Sequence, residues 1–376
     1  TNFKNVKHKP KSSINKLDNL RSNPLLDSKI KNNRYKILHI ANFGEKSNYR
    51  LFNISLSHKI TNGLIRNGCD VINYDYRLIS NRLFEKNNIE KNILEIVKNY
   101  RPNLILLGHN NIVERNSLLI LKEKYKCKVS IWYEDHVIKG DPNFRNNLNL
   151  IEKNHDLIDQ YFITTAPEII KSKIKKNKLN YLPIPVDPNI ENENFFEYDK
   201  KKDLFFALSH GVNYGKLKKN TKDERSNFIQ KLVDISDNRL DFHFLGLYNE
   251  QPKWNFNLNN DLSISKTALN LSRGGPSKYC SSNRIATLMG NGILTCIDEK
   301  THFQDFFSDN EIITYKNEID LMDKLIQIKD DKNNLIKRSK LAKKNYFRYF
   351  ENTIVAEYMM NKIFGSKTKY KYIWEK

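Results

Sequence analysis

The feature that most constrains the fold is an alternation of short apolar strands with amphipathic helices along the chain. In the first half, strands are predicted at residues 35–44, 70–76, 104–108, 129–133, 160–164 and 181–184. Helices with apolar residues three and four positions apart lie between them, as in residues 51–67, which Gly68 closes as a C-cap. Strands and helices that alternate at this spacing are typical of a doubly wound parallel α/β sheet.

A second alternation follows a polar, proline-containing segment at residues 185–202. It predicts strands at residues 204–208, 241–245, 267–271 and 293–297, and helices at residues 224–236, 282–291 and 318–328. A basic amphipathic helix over residues 332–363 is predicted near the end of the chain. The 376 residues suffice for two domains of ~100–200 residues each, so we predict two tandem Rossmann-like domains.

The positive charge is concentrated at the two ends of the chain. The formal net charge is +21, of which residues 1–36 carry +8 and residues 332–376 carry +9. Basic ends of this kind bind an anionic membrane surface, an acidic polymer or nucleic acid, or are solvated tails enriched in lysine by codon bias. For nucleic-acid binding we would expect the charge on one folded face with interleaved aromatic residues, so the pattern does not favour it.

The four cysteines argue against structural metal or disulfide chemistry. Cys69, Cys127, Cys280 and Cys296 are scattered, without a CxxC pair or a histidine at ligand spacing. A reducing, cytoplasmic location fits this usage. No apolar run approaches the ~18–20 residues that span a bilayer, and no signal-peptide pattern is visible at the start.

In open parallel sheets, ligands bind at the carboxyl ends of the strands, which selects a few loops. One is SHGVNYGK, residues 209–216, in which Ser209, His210, Gly211 and Lys216 are candidate phosphate contacts. Backbone N–H groups near Gly211 could face a phosphate, and Lys216 or Arg225 could neutralise it. The loop is neither a Walker A loop nor GxGxxG, so an ordinary strand–helix turn is an equal alternative.

The loop SRGGPSKYCSSNR, residues 272–284, is a more specific candidate. It follows an apolar strand and precedes a helix predicted to begin near Ser282, where free N–H groups and the positive end of the helix dipole favour an anion. Its glycines allow close approach of the backbone to a ligand, and three cations add charge. The candidate diphosphate contacts are Arg273, Gly274, Gly275, Lys278, Ser282, Asn283 and Arg284. No DxD motif follows a strand, which favours a metal-independent site without a cofactor.

Several segments, taken in order, resemble CgeB-like and related group 1 glycosyltransferases. They are IWYEDH, YFITTAPE, YLPIPVDP and DLFFALSHGVNYG, followed by SSNRIATLMGNGILTCIDEKTHFQDFF and NEIITYKNEIDLMDKL. The resemblance covers roughly residues 35–350. It implies a GT-B fold, a nucleotide-sugar donor, with UDP or GDP as the expected nucleotide, and a C-terminal helix that returns to the first domain.

On this resemblance the chain divides into five parts. They are a basic tail at residues 1–34, an acceptor-side domain at residues 35–190, a linker at residues 191–202, a donor domain at residues 203–345 and a returning basic helix at residues 346–376. The family has a Glu three residues after the arginine, where it holds the donor ribose. Thr287 stands there in this sequence, and threonine cannot act as a bidentate acceptor.

Glycosyl transfer needs charge stabilisation on the leaving diphosphate and, in inverting enzymes, a base for the acceptor hydroxyl. Asp135 and His136 end one predicted strand and His109 ends another, so these are the candidate catalytic residues. A loop anchor is the alternative for Asp135, and a structural histidine is the alternative for His109. Glu134 is a weaker candidate.

Besides nucleic-acid binding, two other functions compete with transfer. A GT-B scaffold without catalysis would bind a glycan or a partner, and the Thr287 departure favours it. A sugar-nucleotide epimerase of the same fold would need carboxylates converging on the sugar, and few are visible in the sequence. For a transferase, the expected partners are the nucleotide sugar, a glycan or lipid-linked acceptor and, through the basic ends, an anionic inner membrane face.

Overall fold

The computed structural model describes residues 35–43, 56–77, 89–208, 212–213, 216–217, 224–253, 256–366 and 368–375. The predicted basic tail at residues 1–34 lies outside the described residues.

The first sheet has six parallel strands in the order β2-β1-β3-β4-β5-β6. Its strands are β1 (Lys36–Ala41), β2 (Asp70–Asp75), β3 (Leu104–Gly108), β4 (Lys128–Tyr133), β5 (Gln160–Ile163) and β6 (Leu179–Tyr181). Its helices are α1 (Leu56–Arg66), α2 (Ile89–Tyr100), α3 (Arg115–Glu123) and α4 (Phe144–Glu152). β3 is buried along its whole length, because helices cover both faces of the sheet.

The second sheet has five parallel strands in the order β10-β7-β11-β12-β13. Its strands are β7 (Lys202–Ala207), β10 (Phe242–Leu245), β11 (Ser265–Asn270), β12 (Leu294–Asp298) and β13 (Ile312–Tyr315). Its helices are α5 (Glu224–Ser236), α6 (Phe256–Ser263), α7 (Arg284–Gly290) and α8 (Glu318–Ile328). A short antiparallel pair, β8 (Val212–Asn213) and β9 (Lys216–Leu217), stands apart from the sheet.

Both sheets reverse their strand order beside the first strand. In the first sheet the reversal falls between β1 and β3, and in the second between β7 and β11. A crevice opens at the carboxyl ends of the strands at such a point, and ligands bind there in open α/β sheets. The residues that follow β1 and β3 in the first sheet, and β7 and β11 in the second, are therefore candidate ligand contacts, and the loop after β4 is next to the first pair.

Two further helices close the chain. α9 (Lys332–Phe350) and α10 (Asn352–Phe364) are separated by Glu351, whose extended backbone breaks the helix. The break is held to the segment between the sheets, since Val186 donates its N–H to the carbonyl of Phe350 and accepts the N–H of Asn352. α10 then packs on α1 of the first domain.

α10 and α1 approach each other closely at Gly63. A Cβ placed on this glycine would stand 2.2 Å from the Asn352 carbonyl oxygen, so only a residue without a side chain permits the packing. The predicted two tandem parallel-sheet domains, with a C-terminal helix returning to the first, are confirmed. This arrangement is the GT-B fold.

Some predicted elements are wrong in extent. The basic helix expected over residues 332–363 is two helices, and most of α10 is buried. The sequence also predicts a helix over residues 167–174, but the structure has a single 3-10 turn there, Pro167–Ile169. The helix expected over residues 282–291 has only seven residues, and its N-cap, Asn283, makes no side-chain capping hydrogen bond. These errors share one cause: helix ends depend on tertiary contacts that apolar spacing does not encode.

Candidate active site

A cavity of about 450 Å³ lies where the carboxyl ends of the two sheets face each other. The second domain contributes the ends of β7 and β11, part of α6, and the start of α5 and of α7. The first domain contributes the loop after β4 and part of α4. The charged and polar lining residues are Glu134, Asp135, His136, Asp141, Asn143, Asn147, Arg225, Lys253, Ser272, Arg273, Ser281, Ser282, Asn283, Arg284 and Thr287. The lining thus contains residues from both predicted groups, the diphosphate contacts and the catalytic candidates.

Arg284 spans the reversal point of the second sheet. Its Nη1 donates to the carbonyl of Leu271 at 2.9 Å, and its Nη2 lies 3.5 Å from the carbonyl of Ala207, at the ends of β11 and β7. The guanidinium also stands over the ring of Phe206, 5.3 Å from its centroid. Arg284 therefore holds the two strand ends together and places a positive charge at the crevice between them.

Two more arginines line the same wall. Arg225, in the first turn of α5, is 93% buried although it is a cation. Arg273 follows β11 in the loop beside it. The neighbouring Glu224 accepts the N–H of Gly274 at 2.6 Å, which ties this loop to the start of α5. The second domain thus presents three guanidinium groups to one cavity.

The middle of the predicted diphosphate loop contacts the first domain instead of the cavity. Lys278 forms an ion pair with Glu168 at 2.6 Å, and its carbonyl accepts the N–H of Ala166. The hydroxyl of Tyr181 donates to the carbonyl of Tyr279 at 2.8 Å. The structure therefore does not bring Lys278 to the cavity lining, and its position gives the predicted diphosphate contact no support.

The two glycines of this loop are also absent from the cavity lining. Both have a positive φ, +80° at Gly274 and +84° at Gly275, a backbone region that favours glycine. A Cβ on Gly274 would stand 2.8 Å from a carboxylate oxygen of Asp141, whereas one on Gly275 would meet nothing within 4 Å. Gly274 therefore serves close contact between the two domains.

On the opposite wall, His109 and Asp135 form a pair. Nε2 of His109 lies 3.3 Å from a carboxylate oxygen of Asp135, and the imidazole stacks on Tyr133 with ring centroids 4.6 Å apart. Burial lowers the pKa of His109, but the Asp135 hydrogen bond and the charges of Glu134 and Asp135 outweigh it. The pKa of His109 is consequently raised above its ordinary value of 6.5. Of the two, Asp135 lines the cavity and His109 stands behind it.

Glu134 and His136 lie beside this pair, and burial is the largest influence on the pKa of each. Burial raises the pKa of Glu134 and lowers the pKa of His136, so each environment favours the neutral form. His136 is 8% exposed, and its Nδ1 is buried without a hydrogen-bond partner. The second domain therefore supplies cations to the cavity, while the first supplies groups that can exchange protons.

The remaining predicted site residues either lie outside the described residues or make contacts within their own helix. Ser209, His210 and Gly211 lie outside the described residues, as does the side chain of Lys216. The hydroxyl of Thr287 lies 3.4 Å from the carbonyl of Asn283, one helical turn earlier.

Sequence reasoning missed several lining residues. Asp141, Asn143 and Asn147 belong to the loop after β4 and to α4, and Lys253 follows the loop after β10. Asn147 donates to the carbonyl of His136 and accepts the hydroxyl of Tyr133, so it supports the predicted candidates. Asp141 and Asn143 could have been predicted, because their loop follows the carboxyl end of a strand. Nothing in the sequence pattern indicates Asn147.

Two features are absent from the described residues. No group of three or more His, Cys, Asp or Glu side chains within them could hold a metal ion. None of the helices in that part of the chain has the length and apolar character required to cross a membrane.

Comparisons with known proteins agree with this architecture. Residues 225–360, just over a third of the chain, match the model of a family described as glycosyl transferase-like. No curated protein sequence matches the chain.

Solved glycosyltransferase structures share the fold at low identity. Anabaena HepE, crystallised with UDP and glucose, is 9% identical with a TM-score of 0.52, covering 89% of this chain and 100% of HepE. A glycosyltransferase of Rickettsia africae is 12% identical with a TM-score of 0.52 at the same coverages. A sucrose-phosphate synthase of Thermosynechococcus elongatus is 10% identical with a TM-score of 0.51, covering 87% of this chain and 97% of the synthase. At these identities the likeness shows the fold alone.

Proposed function

We propose that this protein transfers a sugar from a nucleotide-sugar donor to an acceptor hydroxyl, and that the donor binds in the 450 Å³ cavity. One observation carries the proposal. The cavity joins a wall with three arginines, Arg225, Arg273 and Arg284, to a wall with the proton-exchanging groups Asp135 and His136. A leaving diphosphate needs the first wall, and an acceptor hydroxyl needs the second.

The charges assign roles to the two walls. The guanidinium groups stabilise the negative charge that develops on the diphosphate as the glycosidic bond breaks, so the site needs no metal ion for this step. Asp135, with His109 behind it, is the candidate base for the acceptor hydroxyl, and His136 lines the same wall. The family match over residues 225–360 and the HepE complex with UDP support a nucleotide donor, with UDP as the first nucleotide to test.

Calorimetric titration with UDP and GDP tests the donor site. Arg225→Ala and Arg273→Ala should each weaken nucleotide binding by roughly tenfold to a hundredfold, the scale of one or two charge-assisted hydrogen bonds. Arg348→Ala is the matched control, since it removes an exposed arginine of α9 outside the cavity. Arg284→Ala is a poorer probe because Arg284 also holds two strand ends. Equal nucleotide affinity in Arg225→Ala, Arg273→Ala, Arg348→Ala and the wild type would contradict the assignment.

A catalytically inactive binding protein is the second candidate. The observation in its favour is Thr287, which stands where the resembling family has a ribose-binding Glu and whose hydroxyl lies against the Asn283 carbonyl of its own helix. Nucleotide-sugar hydrolysis with a panel of UDP and GDP sugars distinguishes the two candidates. Binding without hydrolysis or transfer would favour the inactive scaffold.

The structure also gives the epimerase alternative more weight than the sequence does. The sequence showed few converging carboxylates, whereas three of them, Glu134, Asp135 and Asp141, line one wall of the cavity. Chromatography of the sugar released from UDP-N-acetylhexosamine donors would identify an epimerised product. Transfer or hydrolysis with retained sugar identity would instead favour the transferase.

The finer assignments belong to the same proposal. We propose the domain boundaries at residues 35–190, 191–202, 203–345 and 346–376, a CgeB-like relationship, and a cytoplasmic location with docking on an anionic membrane that carries the acceptor. The exposed basic side chains of α9, spaced three and four residues apart, support such docking: Lys337, Lys340, Lys344 and Arg348. Failure to bind anionic vesicles at low salt would contradict it.

A further inference from the structure

A buried ion pair contacts one residue of the cavity lining and joins three parts of the protein. Lys59 of α1 is fully buried, and its Nζ lies 2.5 Å from a carboxylate oxygen of Glu191, which is 1% exposed. Glu191 belongs to the segment between the two sheets. The same ammonium donates to the side-chain oxygen of Asn283 at 2.9 Å, and Asn283 lines the cavity in the second domain.

Stability alone is a weak explanation for this pair. Removing two charges from water is costly, and apolar residues of similar size often stabilise a protein at least as well. Both carboxylate oxygens of Glu191 have partners, since the second accepts the N–H of Asp187 at 2.8 Å. Its third contact, to Asn283, is the one that reaches the cavity.

The contact fixes the orientation of the Asn283 side chain. Asn283 is the N-cap residue of α7, but its side chain makes no capping hydrogen bond, because its amide oxygen faces Lys59. The amide nitrogen, which is a donor, is consequently turned away from the ammonium. α7 is also held at its other end, since a Cβ on Gly290 would stand 2.8 Å from the side chain of Glu191.

The charge of Lys59 also reaches the opposite wall. It is one of the positive charges that lower the pKa of Glu134, against the larger effect of burial. Lys59 therefore lies within electrostatic range of both walls of the cavity while it is itself closed to solvent.

We propose that Lys59, held by Glu191, is a positioning residue that orients the Asn283 amide toward the diphosphate-sugar of the bound donor. The inference rests on the proposed function, because it assigns the ligand of the same cavity. It adds a residue of the first domain that acts on donor binding through Asn283 without touching the donor.

Four variants test the inference, each measured by urea unfolding and by calorimetric titration with UDP and GDP. Lys59→Met should lower the urea midpoint, because it leaves Glu191 buried and unpaired. The double variant Lys59→Met/Glu191→Leu should recover the midpoint but retain a roughly tenfold loss of nucleotide affinity, or about 1.4 kcal/mol. Asn283→Ala should show a loss of similar size, and adding Asn283→Ala to the double variant should cause no further loss.

Lys122→Met is the matched control. Lys122 forms an ion pair with Asp159 at 2.8 Å on the first domain, and neither residue lines the cavity. This variant should leave nucleotide affinity unchanged.

The outcomes separate the two proposals. A double variant that recovers both the urea midpoint and nucleotide affinity would mean that the pair is only structural, which overturns the inference while the donor site stands. Additive losses of nucleotide affinity for Asn283→Ala and the double variant would also overturn it. A wild-type protein that binds neither UDP nor GDP would contradict the proposed function, and the inference would fail with it.

Discussion

The contact between Gly274 and Asp141 offers a test of whether packing between the domains positions the two walls of the cavity. Gly274→Ala and Gly275→Ala place the same methyl group on adjacent residues with nearly the same φ, +80° and +84°. Each substitution imposes a left-handed conformation on alanine, which costs about 1–2 kcal/mol. They differ in what the methyl group meets.

Only the methyl group at Gly274 meets the other domain. It would stand 2.8 Å from a carboxylate oxygen of Asp141 and 3.2 Å from both its Cα and its Cβ. The carboxylate can rotate away, but the backbone of Asp141 must retreat by a few tenths of an ångström, since carbon contacts are relaxed only at about 3.5–4.0 Å. Overpacking of this kind costs about 1–3 kcal/mol, in addition to the conformational cost.

The displacement should reach the catalytic candidates. Asp141 accepts the N–H groups of Asn143 and Phe144 at the start of α4. α4 carries Asn147, which donates to the carbonyl of His136. A shift of Asp141 therefore moves the wall that carries the catalytic candidates, opposite the three arginines.

Urea unfolding and steady-state hydrolysis of a UDP sugar give the two measurements. Gly275→Ala should lose about 1–2 kcal/mol of unfolding free energy. Gly274→Ala should lose about 1–3 kcal/mol more. Turnover should fall roughly tenfold in Gly274→Ala alone, because misplacement by a fraction of an ångström weakens catalysis. UDP affinity should stay within about twofold in both. Equal stability and equal turnover in the two variants would refute the reasoning.

Three further predictions test the pKa shifts and the domain packing. Because the folded pKa of His109 is raised, its pairing with Asp135 stabilises the protein fully below pH 6.5, and this contribution is lost as the pH rises through the folded value. The unfolding free energy of wild type minus His109→Gln should therefore decrease with pH over that range, and a flat difference would contradict the pairing. Burial raises the pKa of the Cys280 thiol to about 12, so iodoacetamide at pH 8 should modify it only in the unfolded protein, and fast labelling of the native chain would contradict its burial. Gly63→Ala should lose about 1–3 kcal/mol because its methyl group meets the Asn352 carbonyl, whereas Ile65→Ala, at an exposed position of the same helix, should change stability by less than about 0.5 kcal/mol.

The sequence predicts the sheets well because their signal is local. The strand LILLG at residues 104–108 is apolar at every position but the last, which is typical of a strand covered on both faces, and β3 is buried along its length. Alternating strands and helices in turn predict parallel sheets, and the carboxyl ends of those sheets predict which loops form a site. Asp135, Arg273 and Arg284 were found by this route, and all three line the cavity.

The tertiary structure decided which charged residues meet. Lys278 and Arg273 are five residues apart in the same basic loop, yet one pairs with Glu168 and the other lines the cavity. Lys59 was not a candidate at all, because its partners Glu191 and Asn283 are 132 and 224 residues away along the chain.

The physical reason is that secondary structure is set by interactions between residues close in sequence, whereas these charge pairs join residues far apart in sequence. Burial and backbone hydrogen bonding set the periods of strands and helices within a few residues, so a sequence pattern records them. A charged side chain in a lysine-rich chain has many partners of similar local chemistry, and only the packing of the domains selects among them. The sequence therefore determined two parallel sheets and the loops at their carboxyl ends, while the tertiary structure determined that arginines of one domain face three acids and one imidazole of the other.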